Sequence, residues 1–163
     1  MLLGILRRLL PVHDISSDYE DPPQFLQGKQ TRPQLVGLLK LFYADIKPLT
    51  IAAADPAAVY AAALDAAKAM PRWEVTAEQP PNSRSSSSSS AASFQAVATT
   101  KAMRFKDDIV VRFRPVQGRA EVLVDVRSRS RIGQGDIGAN GARILQYQRK
   151  LSALLQERHL SKL

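Results

Sequence analysis

The chemistry-bearing pattern of this 163-residue chain lies in Asp125-Val-Arg127-Ser-Arg129-Ser-Arg131-Ile-Gly133-Gln-Gly135-Asp136-Ile-Gly138-Ala-Asn140. On a strand, Arg127, Arg129 and Arg131 project from one face at a spacing of two. Three guanidiniums in a row repel one another unless anions lie between them. Asp107, Asp108, Asp125 and Asp136 are the internal candidates. Gly133, Gly135 and Gly138 permit positive φ and close backbone approach where the strand passes into a helix. That helix turns its free N–H groups and positive dipole end toward the same region. Together these features suit a phosphate, a carboxylate or an acidic partner. Arg127, Arg129, Arg131, Gly133, Gly135, Asp136, Gly138, Asn140 and Arg143 are therefore the candidate anion- or partner-binding residues. A structural reading stands beside this one. Arg–Asp pairs would staple the loop, and Asp136 or Asn140 would cap the helix. Asp107, Asp108, Arg112 and Asp125 are the candidate structural ion-pair members.

The three glycines read G-x-G-x-x-G, but the strand before them belongs to an antiparallel meander. Nor does Lys-Ser/Thr follow the last glycine, so neither nucleotide-binding fingerprint is met. With no cysteine in the chain, a disulfide scaffold and a cysteine zinc site are excluded. His13 and His159 are the only histidines, both near the termini, which argues against a histidine triad or a multi-His metal centre. Asp107 and Asp108 are adjacent on a strand and face opposite ways, so a turn, a cap or pairing with Arg112 outweighs acid–base work. The serines between the arginines have no nearby base to activate them. No catalytic residue, metal or cofactor is expected, and a non-enzymatic domain is favoured.

Net charge is +8, and it is unevenly placed. Residues 1–100 hold nine Lys+Arg and nine Asp+Glu, whereas residues 101–163 hold fourteen and six. That asymmetry points to one partner-facing half. Nucleic-acid backbone binding is a third reading, weakened because the Arg face lacks interleaved aromatics for stacking.

The elements that would position these residues follow from periodicity. At this length one domain burying roughly two-thirds of its unfolded surface is the default. Residues 1–12 form an apolar tip around Arg7 and Arg8, too short to span a bilayer but suited to peripheral contact with a membrane surface or a partner. Residues 13–24 are acidic and Pro-rich, which is linker composition. A short helix is expected over 33–42 with Pro33 at its first position, ended by Pro48. Asp55-Pro56 opens an Ala-rich helix reaching Met70. Strands alternate over 72–79, 94–100, 109–114 and 120–130, the first two joined across the Ser85–Ser90 tract. A last helix runs from about Asn140 to His159, with Ile144, Tyr147, Leu151, Leu154 and Leu155 as its stripe. The expected fold is a two-layer α+β domain. A four-stranded antiparallel meander is flanked by helices in the order α-β-β-β-β-α. Residues 1–42 form an N-terminal extension. Residues 43–163 form the domain, with a Ser-rich insertion at 80–92.

Three motifs carry a resemblance: Tyr43-Ala-Asp-Ile46-Lys-Pro-Leu49, Phe105-Lys-Asp-Asp-Ile-Val-Val-Arg112, and the Asp125–Asn140 stretch with Arg143-Ile144. Together they resemble the domain of unknown function 1499 family, over about residues 43–155. The resemblance implies a small α+β domain of bacteria and plastid-bearing eukaryotes, and supplies no catalytic residues. The Ser85–Ser90 tract and the resemblance together favour a thylakoid-associated plastid setting ahead of a bacterial cytoplasm or envelope. The expected role is an accessory domain docking on an acidic protein partner, such as a subunit or assembly factor of a membrane complex. A binder or enzyme for a small anionic ligand is the alternative.

Overall fold

The computed structural model describes residues 12–53, 55–81, 91–101, 103–132 and 138–160. Among them the elements run β1 (Asp14–Ser16), α1 (Val36–Phe42), β2 (Leu49–Ala52), α2 (Pro56–Lys68), β3 (Trp73–Gln79), β4 (Ala92–Thr99), β5 (Lys106–Pro115), β6 (Glu121–Ser130) and α3 (Ala139–Leu160). The fold is α+β, with an antiparallel sheet and three helices.

The expected meander of β3, β4, β5 and β6 is present, but it is not the whole sheet. Six strands are paired rather than four, and three helices stand where two were expected to flank them. The extra strands β1 and β2 lie end to end along the edge of β6 that the meander leaves open. β1 pairs Asp14 with Arg129 and Ser16 with Arg127; β2 pairs Leu49 with Val124 and Ala52 with Glu121. β6 thus becomes a central strand, and its unpaired N–H and C=O groups are covered.

Period-two alternation decides which side chains meet the helices. Ile109, Val111 and Phe113 of β5 and Val122, Val124 and Val126 of β6 are buried with Phe94. Above them pack Val59, Ala63, Ala66 and Ala67 of α2 and Ile144, Tyr147 and Leu151 of α3. The Trp73 ring stacks on Tyr147 at 5.4 Å, and Tyr60 meets Phe113 edge-on at 5.2 Å. The Tyr147 hydroxyl donates to the Ala63 carbonyl at 2.9 Å, and burial pushes its pKa up. α2 starts as its sequence dictates: the Asp55 carboxylate accepts from the Ala57 N–H at 2.9 Å, and Pro56 sits at the first position. α1 begins at Val36, later than expected, because Leu35 takes a left-handed conformation (φ 55°) that the helix cannot include.

A two-layer arrangement leaves the second face of the sheet to water. Instead Gln95, Val110, Asp125, Arg127 and Arg129 are all buried there. Residues 17–32, much of them read from composition as linker, cross this face as a strap. Phe25 is buried in it, and Gln27 exchanges hydrogen bonds with the Gln95 side chain (2.9 and 3.3 Å). The N-terminal tip at 1–11 and the Ser tract lie outside the described residues. Among the described residues no helix is long and apolar enough to cross a membrane.

Gly141, in the first turn of α3, has no room for a side chain. A Cβ there would collide with the Tyr43 ring, 2.9 Å from its Cδ1 and closer still to Cε1. Tyr43 is itself buried and cannot swing out. Gly141→Ala should therefore lower stability by about 1–3 kcal/mol through overpacking. That outcome runs against the gain of about 1 kcal/mol that Ala brings to a helix interior. Urea denaturation checks it, and a more stable variant would refute the packing argument.

Candidate functional site

β6 delivers its side chains to two places. Asp125, Arg127 and Arg129 point to the strap, while Val126, Ser128 and Ser130 point to the helices. β5 does the same, sending Asp108, Arg112 and Arg114 one way and Asp107 the other.

Arg127 sits at the centre of the strap face and is fully buried. Its guanidinium clasps Asp14 with two bonds, Nε at 2.8 Å and one terminal nitrogen at 2.7 Å. It also donates to the backbone carbonyls of Pro23 (2.9 Å) and Thr31 (2.7 Å). Arg129 donates to the carbonyl of Lys29 at 2.6 Å and to Asp108 at 3.0 Å. Both guanidiniums lie over the Phe25 ring, at 4.7 and 4.2 Å from its centroid. Arg131 shares Asp108 (2.8 Å), and that bond raises its pKa further.

At the other end of the same face, Asp125 is fully buried between two arginines. Arg112 donates to it at 2.9 Å and Arg114 at 2.7 and 2.9 Å. The hydrogen bonds from Arg114 to Asp125 raise its pKa. Arg112 reaches on to Asp21 (2.8 Å), and Arg114 to Asp18 (2.9 Å). Five arginines thus meet five aspartates, three of them supplied by β1 and the strap.

On the helix side, Arg143 reaches back from α3 to Asp107 at 2.5 Å. It also donates to the Asn140 side-chain oxygen (2.7 Å) and to Ser128 Oγ (3.1 Å). Asn140 is fully buried. Its amide donates to the His13 carbonyl (3.1 Å) and to Ser130 Oγ (2.9 Å). These bonds tie the start of α3 to β6 and to the residue before β1.

Of the residues singled out from sequence, Arg127, Arg129 and Arg131 gather at the strap, Asn140 and Arg143 at the start of α3. Gly138 takes a positive φ of 78°. Gly133, Gly135 and Asp136 lie outside the described residues. Asp107 and Asp108 serve Arg143 and the Arg129–Arg131 pair respectively, while Arg112 turns to Asp125. Sequence reasoning missed Asp14, Asp18, Asp21, Phe25 and the carbonyls of Pro23, Lys29 and Thr31. The one available signal was that acidic residues 14, 18 and 21 balance a chain whose surplus of arginine lies far downstream.

The chemistry of this arrangement is recognition directed inward. Arg127 and Arg129 are buried and bonded to the chain itself, so they are closed to an external anion. Among the described residues no group of three His, Cys, Asp or Glu side chains is placed to hold a metal.

A buried guanidinium stripped of its carboxylate is costly, about 3–5 kcal/mol. Asp14→Ala should therefore destabilise the fold by that amount. Arg131→Ala should cost less than about 1 kcal/mol, because its side chain is 43% exposed and screened by solvent. Asp14→Ala combined with Arg127→Met should be more stable than Asp14→Ala alone. Denaturant melts of the three variants check the order. Equal losses for Asp14→Ala and Arg131→Ala would show that the strap is not held by this pair.

The family model described as "Protein of unknown function (DUF1499)" matches residues 14–151. No curated protein and no solved structure matches the chain. The matched span opens on the aspartate that Arg127 clasps and closes on Leu151 in the core of α3, so it takes in every arginine–aspartate pair of the sheet. The chain belongs to the DUF1499 family.

Proposed function

We propose that the chain is a non-catalytic docking domain that meets a negatively charged partner surface through one end of its sheet. One observation carries this reading. The arginines of β5, β6 and the start of α3 are matched by aspartates of the same chain, while the β4–β5 turn sets cations that have no ion pair among the described residues beside exposed apolar side chains; the other exposed large apolar side chains, Leu35, Leu38 and Leu41, lie at α1. Lys101, Arg104 and Lys106 are exposed there and make no ion pair among the described residues. Met103, Phe105 and Ile132 stand among them, 68%, 41% and 66% exposed. Exposed apolar groups beside like-signed charges mark a contact surface. Docking thus moves from the buried Arg127–Arg129 segment to the turn beside it, with Arg131 as the residue common to both. A plastid setting, as a peripheral subunit or assembly factor of a membrane complex, is the finer part of this proposal and rests on family resemblance.

Lys101→Glu, Arg104→Glu and Lys106→Glu together should release the tagged full chain from the large assemblies of its native cells. Arg149→Glu, an exposed reversal on α3, should not. Fractionation of both variants by size reads the outcome, and a triple variant that fractionates like the wild type would overturn the reading.

A second reading has one observation in its favour. A groove of about 320 Å³ lies between the start of α3 and the ends of β3 and β4, lined in part by Arg72, Trp73, Lys101 and Arg143. A small phosphate- or carboxylate-bearing ligand would fit its charge. Inorganic phosphate should then raise the melting temperature of the wild type and not that of Arg72→Ala/Lys101→Ala. An equal response from both proteins would dismiss the groove.

A further inference from the structure

We infer that the surface met by the β4–β5 turn is an anionic lipid bilayer, with Met103, Phe105 and Ile132 entering the headgroup boundary and the surrounding cations resting on lipid phosphates. This inference rests on the docking reading above and names the partner at that same site.

The turn is built to hold its side chains outward. The Thr100 N–H donates to the Phe105 carbonyl at 2.9 Å, and the Phe105 N–H donates to Thr100 Oγ1 at 2.8 Å. These bonds close a short loop in which Arg104 adopts a positive φ of 52°. The Arg131 N–H donates to the Lys106 carbonyl at 3.2 Å, which sets Ile132 at the same end of the sheet. Three exposed apolar side chains therefore stand at one end of the sheet. Around them stand Lys101, Arg104, Lys106 and Arg131. The acidic residues nearest to the β4–β5 turn in sequence, Asp107 and Asp108, are buried and paired with Arg143 and with Arg129 and Arg131, so Asp108 offsets one of those two arginines and the excess at the tip rests on Lys101, Arg104 and Lys106.

This chemistry favours lipid over the other polyanions. A stable protein interface covers about 800 Å² on each partner and is depleted of lysine at its core. Three protruding side chains ringed by cations do not make such a surface. A single-stranded nucleic acid is held by successive aromatic platforms, and the tip offers Phe105 alone. A bilayer interface matches both features. Apolar groups bury about 5–10 Å deep at the acyl boundary, and Lys and Arg draw in anionic headgroups.

The test uses the full chain and co-sedimentation with vesicles of phosphatidylcholine, alone or mixed with phosphatidylglycerol. Wild type should bind the mixed vesicles, bind the neutral ones far less, and be released by salt. Lys101→Gln/Arg104→Gln/Lys106→Gln should bind mixed vesicles about 100-fold more weakly, at roughly fivefold per cation. Met103→Ser/Ile132→Ser should also lose binding, although its charge is unchanged. The chain has no cysteine, so Met103→Cys offers one site for an environment-sensitive dye. Its emission should shift to the blue on mixed vesicles. All these positions are exposed, and matching thermal melts show that the variants fold.

Tip variants that bind vesicles like the wild type would overturn the inference and assign any membrane affinity to another segment, such as the apolar residues 1–11. So would polyglutamate or an oligonucleotide bound as tightly as the mixed vesicles, or a dye emission that does not move. If vesicle binding fails while the Glu reversals still release the chain from its cellular assemblies, the lipid assignment falls and the docking reading stands. If the reversals change nothing in cells, the docking reading falls as well.

Discussion

A cation that has lost its water must find its charge and its hydrogen bonds inside the protein, and Arg127 imposes that condition on the whole sheet. Its guanidinium is fully buried, so every donor it aims needs an acceptor from the same chain. Asp14 meets the charge, and the carbonyls of Pro23 and Thr31 meet the remaining geometry. Those acceptors fix β1 along β6 and lay the strap over the second face. Lys would not substitute, because a point ammonium cannot hold a carboxylate in two bonds and reach two carbonyls in the same plane.

The rest of the architecture is arranged around β6. On its helix side, valines and small hydroxyls accept the α2–α3 layer. On its strap side, charges are neutralised within a few ångströms. Because the six arginines of these clusters are matched by six aspartates, the clusters add nothing to the net charge of +8. The excess lies on residues outside them, Lys101, Arg104 and Lys106 included. Arg127 and Arg129, in the most arginine-dense stretch of the sequence, are thus bonded to the chain itself.

Much of this fold is legible in local pattern. The meander strands show period-two alternation, and α2 announces itself through Asp55-Pro56. The stripe of Ile144, Tyr147 and Leu151 marks the buried face of α3. The parts that stayed hidden are held from a distance. β1 is three residues long, too short for periodicity to register, and β2 only four. The strap is acidic, polar and Pro-rich because its partners are guanidiniums and its backbone is bonded by side chains. By composition such a segment cannot be told from a linker. Alternation placed Arg127 and Arg129 on one face correctly, yet it carries no information about what covers that face. Gly141 is silent for the same reason, since the Tyr43 ring that excludes a Cβ arrives from 98 positions upstream.

The separation between Asp14 and Arg127 is 113 residues, and between Asp18 and Arg114 it is 96. During synthesis at about 5–20 residues per second, the strap therefore leaves the ribosome on the order of ten seconds before its anchors exist. Until then residues 14–31 have no structure to join, and β6 has no cover. Closing the strap over β5 and β6 joins residues about 100 positions apart, a step whose loop-closure entropy is among the largest the molecule faces. Until β5 and β6 are made, Asp14, Asp18 and Asp21 have none of the guanidiniums they pair with in the folded chain.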